Sequence, residues 1–537
     1  MRSDTPRSYA EPLFATLAAS LLYFFRFGYD FGHSDQDEFL PLLLSRLHPG
    51  LLEHDWFVQT QAAGFHVRTY FVGLLEGLTS VVPVWMAVLL LYTAAWLLLT
   101  SAIYALAHTF TRDRMAAALA VIVALVLTPQ WTLGGNDLAH RMLVPSMLGW
   151  GLGLWGVHAL LHERPVRAAA LLGLAAWMQP LVGLQLAGLF GLVLLLQELG
   201  REEREPALRR LALFAGLFVV FAAPAVGPLV YGQFAEAVPR PADAPSLFYI
   251  LAAFRAPHHY LPDAFSTHAA VRFGALAGAG LFALAFPSVR KMLAHLRLLF
   301  GALLMIAVLC GVGYVFTEIR PTLFITKLQL FKLTVTAKVL LVIILSGAFS
   351  LWLPTAPWRR LRLAMMRPWP ALLALAGWTV VFVGLITEKD FVTERILPIA
   401  RQGTAVERLE RWARTQTATD AIFATPPSFS GFRSQAQRAI VVNFKAYPFR
   451  DRYMYEWYRR LTDLAPIDPP ERGGAALLPD LDAAYEALSA EDLRVLSERY
   501  GFGYVVRHTP LRPPRRGFRA VYRNDEWTVY RVPPSGG

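Results

Sequence analysis

The chain has 537 residues, of which 55% are hydrophobic and 17% charged, with a mean hydropathy of +0.40. Soluble domains carry about 25% charged residues, so this balance excludes a wholly water-soluble protein and points to a chain that spans a membrane many times. The formal charge of +12 comes from 51 basic residues, only six of them lysine, and their placement in short loops reads as membrane orientation and not as a nucleic-acid surface.

The first apolar run, 11–27, has no small-residue cleavage pattern and is expected to remain as an anchor. Directly after it comes GHSDQDEFLP (32–41), with Asp35, Asp37 and Glu38 in ten residues. One reading is a helix start: Ser34 caps, the acids complement the helix dipole, and FLPLLLSRL continues as a helix on the membrane surface. The other reading is chemical. On a helix Asp35 and Glu38 share a face, and one carboxylate can serve as general base while another, of Asp35 or Asp37, holds a divalent cation such as Mg or Mn. Ionisable groups at a membrane mouth are functional candidates by default.

Further runs approach or exceed the roughly 20 residues that cross a bilayer. Basic groups come next at Arg112 and Arg114, at Arg164 and Arg167, and at Arg201, Arg204, Arg209 and Arg210. Others lie at Arg290, Lys291 and Arg297, and at Arg359, Arg360, Arg362 and Arg367; Arg2 and Arg7 precede the first run. The positive-inside rule makes these loops cytoplasmic. Residues 166–197 then leave and return to one side, either as two short spans meeting at Gln179-Pro180 or as one long kinked helix that inverts all later spans; the hairpin is preferred. The count becomes about eleven spans: 11–27, 83–108, 114–130, 145–162, 166–179, 181–198, 206–231, 267–287, 296–317, 331–353 and 370–387.

This order leaves GHSDQDEFLP, GGNDLAHRMLVP (134–145), FRAPHHYLP (254–262) and TEIRP (317–321) on the outer face. His258 and His259 are neighbours that rarely chelate together; they form an interfacial loop, or with Arg255 they contact an anionic substrate. Arg141 is placed to pair with Asp137 at i,i+4. Of the six lysines, Lys327, Lys332 and Lys338 gather at one edge of a span, Lys327 and Lys338 nearly on one helical face. They snorkel to headgroups, or with Arg320 they cradle a lipid-linked phosphate. Cys310 is the only cysteine, which excludes an intrachain disulfide and a thiolate metal site.

From Glu388 the composition becomes that of a soluble domain. The pattern predicts a helix at 404–415, strands at 421–427 and 439–444, helices at 450–463 and 481–499 with a start at Ser489 inside the second, a strand at 500–508, and a hairpin over 518–532 turning at Arg523-Asn524-Asp525. This is a small α/β layer that covers the outer mouth or docks a partner.

An acid-rich first outer loop, a helix after it, many spans and an outer α/β tail resemble the GT-C superfamily of membrane glycosyltransferases. SDQDEFLP, HDWFVQ (54–59), FRAPHHYLP and TPPSFSGFRSQAQRAIVVNFKAYPF (425–449) are similar to a bacterial multi-spanning family of unassigned function. The resemblance implies a helical polytopic domain, residues 1–387 with its first outer loop at 28–82, and an extracytoplasmic α/β domain, 388–537. It implies a polyprenyl-phosphate sugar donor, a cell-envelope acceptor and the bacterial inner membrane. Asp35, Asp37 and Glu38 match the position of the acids; Arg255, Arg320, Lys327 and Lys332 stand as phosphate ligands. The rivals are an envelope-lipid flippase, which needs polar groups at mid-membrane depth where Gln185 is one of few, and a non-catalytic assembly factor.

Overall fold

A computed structural model describes residues 10–235, 238–352, 368–386, 403–509 and 517–533. The arginines at 2, 7, 359, 360, 362 and 367, and the expected start of the tail at 388, lie outside the described residues. The chain divides into two compact units, Met1–Tyr29, Val88–Gly227 and His258–Leu397 in the first, Asp30–Ala87, Pro228–Pro257 and Pro398–Gly537 in the second.

The first unit is helical. Among the described residues six helical segments are long and apolar enough to cross a membrane: Val84–Thr111, Pro180–Leu199, Glu205–Phe234, Thr267–Ala285, Leu296–Ile319 and Leu323–Trp352, the last interrupted at Gln329. Shorter apolar helices accompany them, among them Pro165–Met178. The hairpin expected at Gln179-Pro180 is present: Gln179 is extended (φ −147°, ψ 99°) and Pro180 opens the next helix, where its missing N–H costs nothing. The two arms touch through Gly183, where a Cβ would lie 2.5 Å from the Ala176 nitrogen and 2.6 Å from the Leu172 carbonyl oxygen. Only a residue without a side chain allows that approach, as in other membrane helix pairs.

Three expectations in this unit are corrected. Residues 136–141 are not helical, so the i,i+4 pairing of Asp137 with Arg141 has no helix to rest on; Asp137 instead meets Lys338 Nζ at 2.6 Å, both buried. Lys338 therefore neither snorkels to headgroups nor faces a ligand. Lys327 and Lys338 do not share a helical face either, because the chain breaks at Gln329 (φ +49°) and a 3-10 turn, Leu330–Leu333, precedes the helix Thr334–Trp352. Gln185 donates to the Leu328 and Gln329 carbonyls at 2.7 and 3.1 Å, satisfying backbone that the break leaves open.

The second unit carries the sheet, in the order β2-β1-β3-β5-β4, from β1 (Ile422–Ala424), β2 (Ala439–Ile440), β3 (Tyr504–His508), β4 (Arg519–Arg523) and β5 (Trp527–Arg531). β1 pairs in parallel with β2 and β3, and the β4–β5 hairpin closes the antiparallel side at the turn read from the sequence. The helix Ala405–Gln416 starts with a Thr404–Glu407 capping box and buries Ala405, Leu409 and Ala413 one turn apart against Phe423, Phe432 and Val529. One helix ends at its cap Leu488 and Ser489 caps the next, so the 481–499 segment is two helices, Leu478–Ala487 and Ala490–Tyr500. The strand expected at 439–444 pairs only at Ala439–Ile440, because Asn443 turns inward to buried charges.

Glu410 lies on the buried side of the helix Ala405–Gln416, 3% exposed. Burial, then Glu407 and Asp37, push its carboxyl up to about 8 from 4.5. The folded state thus holds a proton that the unfolded chain releases, and stability falls as pH rises from about 4.5 through 8. Glu410→Gln is expected to be more stable than wild type, by an amount growing from pH 5 to 8 to a few kcal/mol on the order implied by the shift. Thermal melts across that range check this; a difference that does not change with pH removes the assignment.

Candidate functional site

The acid-rich loop folds as a short 3-10 turn, Ser34–Glu38. Ser34 is not its cap: it lies inside the turn at φ +53°, and His33, which holds the cap position, makes no side-chain capping bond. The segment after it is not a surface helix, since Leu40, Pro41, Leu42, Leu43 and Leu44 of the helix Leu40–Leu47 are all buried within the unit. The three acids have three different surroundings.

Asp37 is fully buried. Its Oδ2 accepts from Asn443 Nδ2 at 2.6 Å and lies 3.9 Å from Arg433 Nη1. Arg433, 1% exposed, reaches with Nε to Asp55 Oδ2 at 2.7 Å and stacks over Phe57 at 5.3 Å. Asp55 caps the helix Trp56–Ala62 through Val58 N at 3.0 Å and accepts from Ile440 N at 3.0 Å. Burial pushes the Asp37 carboxyl upward, opposed by Arg433 and Asn443. Gly431 (φ +88°) lets this turn approach, since a Cβ there would sit 2.9 Å from the Gly32 carbonyl oxygen. The group is a buried strut that ties the acidic loop to the sheet.

Glu38 is nearly buried and clasped by cations. Arg68 Nη2 pairs with its Oε2, and Arg255 Nη2 lies 4.0 Å from Oε1. Arg255, at the end of the wide turn Tyr249–Arg255, also donates to the Lys445 carbonyl at 2.8 Å and lies over Phe444 at 5.0 Å. Burial lowers the Arg68 guanidinium to about 10, still charged at neutral pH. Asp35 is the accessible acid, its side chain 40% exposed and paired with Lys445 Nζ.

Beside Arg68 opens a cavity of about 220 Å³ lined by His66, Gln233, Tyr447, Arg450 and Asp451 among others. His66 Nδ1 accepts from the Arg68 amide at 3.2 Å, which puts the ring proton on Nε2. Burial lowers His66 to about 4, so it is neutral at physiological pH; its Nε2–H is buried without a hydrogen-bond partner and is a donor for a ligand oxygen. The wall therefore combines neutral and charged donors with aromatic rings, a lining for an anionic group attached to an apolar or sugar body.

Asp35, Asp37, Glu38 and Arg255 thus share the second unit. His258, His259, Arg320, Lys327 and Lys332 belong to the first. There His259 Nδ1 lies 2.7 Å from the Gly134 carbonyl oxygen, Arg320 is exposed, Lys327 is half-buried and Lys332 is buried. The acids do not fit a divalent ion: Asp35 faces an ammonium, Asp37 a guanidinium and an amide. Among the described residues no three His, Cys, Asp or Glu side chains gather as ligands. Sequence reasoning missed Arg68, His66, Arg433, Asn443 and Lys445. Lys445, Asn443 and Arg433 lie inside the 425–449 motif, and Asp55 inside HDWFVQ, so both motifs carried the signal without its meaning.

Residues 404–464 match a family model described as Domain of unknown function (DUF6798). No curated protein matches the chain. Among solved structures the chain is similar to ArnT from Cupriavidus metallidurans, crystallised with undecaprenyl phosphate, at 14% identity and a TM-score of 0.52, covering 96% of this chain and 97% of that one. At that identity the likeness is one of fold.

Proposed function

We propose that the chain is a GT-C-type glycosyltransferase that moves a sugar from a polyprenyl-phosphate donor to a cell-envelope acceptor on the outer face of the bacterial inner membrane. The observation that carries this reading is a fold matched from end to end by a protein that binds undecaprenyl phosphate. The second unit supports it, with one accessible acid beside a set of guanidinium and ammonium groups. About eleven spans, an inner amino terminus and an outer tail belong to the same proposal.

In this reading Asp35 removes the proton from an acceptor hydroxyl as its oxygen bonds to the anomeric carbon. The bond from that carbon to the donor phosphate breaks, and its electron pair leaves with the polyprenyl phosphate. Arg68, Arg255 and Lys445 stabilise the charge that develops there. Glu38 holds Arg68 and Arg255 in position and Asp37 holds the loop. No step is routed through a metal ion. Transport without bond chemistry is not favoured, because Gln185 is engaged with the Leu328 and Gln329 carbonyls and does not line a path.

The test uses the full chain in nanodiscs. Undecaprenyl phosphate is expected to bind more tightly than undecaprenol, and radiolabelled polyprenyl-phosphate sugars to yield glycosylated envelope lipid. Arg68→Gln combined with Glu38→Gln removes both members of the closer pair together and is expected to weaken phosphate binding about 10- to 100-fold. Equal affinity for the alcohol and its phosphate would overturn the donor assignment.

A further inference from the structure

The first unit contains an open cavity of about 810 Å³ to which the transfer reaction assigns nothing. It lies at one end of the bundle, where the helices Val84–Thr111 and Pro145–Leu161 finish and the helix Leu296–Tyr314 begins. His108, His158, His162 and His295 line it together with Arg112 and Arg114. These six come from three segments, 108–114, 158–162 and 295, and no aspartate or glutamate is among the lining residues. Isolated imidazoles on apolar helices are usually satisfied core residues; four around one open space, with two arginines and no acid, are not accounted for by packing.

We propose that this cavity binds a phosphate group, as borne by an anionic membrane phospholipid. Four features point that way. Arg112 is exposed and makes no ion pair among the described residues, while Arg114 is only partly offset by Glu11 at 3.6 Å. His162 Nδ1 lies 2.8 Å from the His158 carbonyl oxygen, so that nitrogen carries the proton and Nε2 remains for a ligand. The His158 and His162 rings stand 4.2 Å apart, an arrangement in which an anion between or beside them favours protonation and two further donors. The helix Leu296–Tyr314 starts directly after His295 with no side-chain cap, leaving first-turn amides and the positive end of its dipole at the cavity.

The size and the walls favour a lipid as the bearer of the phosphate. The space far exceeds one phosphate ion, and Pro12, Tyr104, Ala105 and Trp155 give it apolar and aromatic sides suited to glycerol and the first acyl carbons. The basic loops at 112–114, 164–167, 201–210 and 290–297 assign this end to the cytoplasmic side, where basic pockets between spans hold anionic headgroups. Arg112 (φ +53°) and His295 (φ +53°), both lining residues, are held in left-handed backbone that non-glycine residues rarely adopt.

The experiment offers the full chain, in phosphatidylcholine nanodiscs, increasing phosphatidylglycerol or cardiolipin, and reads retained lipid by native mass spectrometry. The wild type is expected to retain the anionic lipid preferentially. Arg112→Gln, an exposed change that spares the core, is expected to lower that preference about fivefold, and His158→Ala with His162→Ala to lower it further. Asp35→Asn, in the other unit, is expected to leave it unchanged. Displacement of the lipid by millimolar inorganic phosphate in the wild type alone supports a phosphate site and names the free ion as a competing source. Equal retention of phosphatidylcholine and anionic lipid, or a preference unchanged in both variants, overturns the proposal.

Discussion

Asp35→Asn is expected to lower sugar transfer by about 10²- to 10⁴-fold, the range a positioned general base contributes. The substitution keeps shape and a hydrogen bond to Lys445 while removing the lone pair that takes the acceptor proton. Folding should be unaffected, since the Asp35 side chain is 40% exposed and its pairing with Lys445 is a partly solvated one. The other two acids answer differently. Asp37 is enclosed by Arg433 and Asn443, and its loss acts on stability before it acts on chemistry. Glu38 acts on the guanidiniums that it holds. Initial rates with a radiolabelled polyprenyl-phosphate sugar, beside melting temperatures of the same preparations, separate these roles. A fully active, normally melting Asp35→Asn protein removes Asp35 from the reaction.

Arg433→Ala is expected to be the most damaging single change in the second unit, costing about 3–5 kcal/mol. The guanidinium stands between two carboxylates with no solvent to replace it: Asp55 Oδ2 at 2.7 Å and Asp37 Oδ2 at 3.9 Å, all three side chains at 0–1% exposure. Taking it away leaves two buried negative charges that must protonate or break open the loop. For a unit of this size the loss corresponds to roughly 10 °C in melting temperature. Arg433→Lys should recover only part of it, since an ammonium cannot span both carboxylates with a planar fork. Differential scanning fluorimetry in detergent reads both variants, and an unchanged midpoint for Arg433→Ala would mean that the two carboxylates are not balanced by this residue.

The features legible in the sequence were those with a local period or a local stereochemical cause. Pro180 after an extended Gln179 marks the hairpin, Ser489 with Asp492 marks a helix start, and the alternation around Asn524 marks the β4–β5 turn. The presence of acids after the first span was visible too, but their division of labour was not. Whether a carboxylate is reactive or structural depends on partners distant in sequence: Arg68 for Glu38, Lys445 for Asp35, Arg433 for Asp37. Such pairs obey no periodicity, and a buried arginine looks the same in a sequence as one in a basic loop. The lysines show the converse. Lys338 reads as a ligand for phosphate because lysine is rare in the chain, yet its charge is consumed by Asp137, and only the break at Gln329 explains why the face inferred from an unbroken helix is absent.

The second unit is assembled from three stretches that the ribosome delivers far apart. Arg433 comes 378 residues after Asp55, a delay of roughly 20–80 s at ordinary rates of synthesis. Throughout that interval the two aspartates lack the guanidinium that balances them, and the closing of the loop around them must wait for the last quarter of translation. A nascent chain stalled before that point should present this loop to proteases and holdases, and the same loop should become resistant within moments of release.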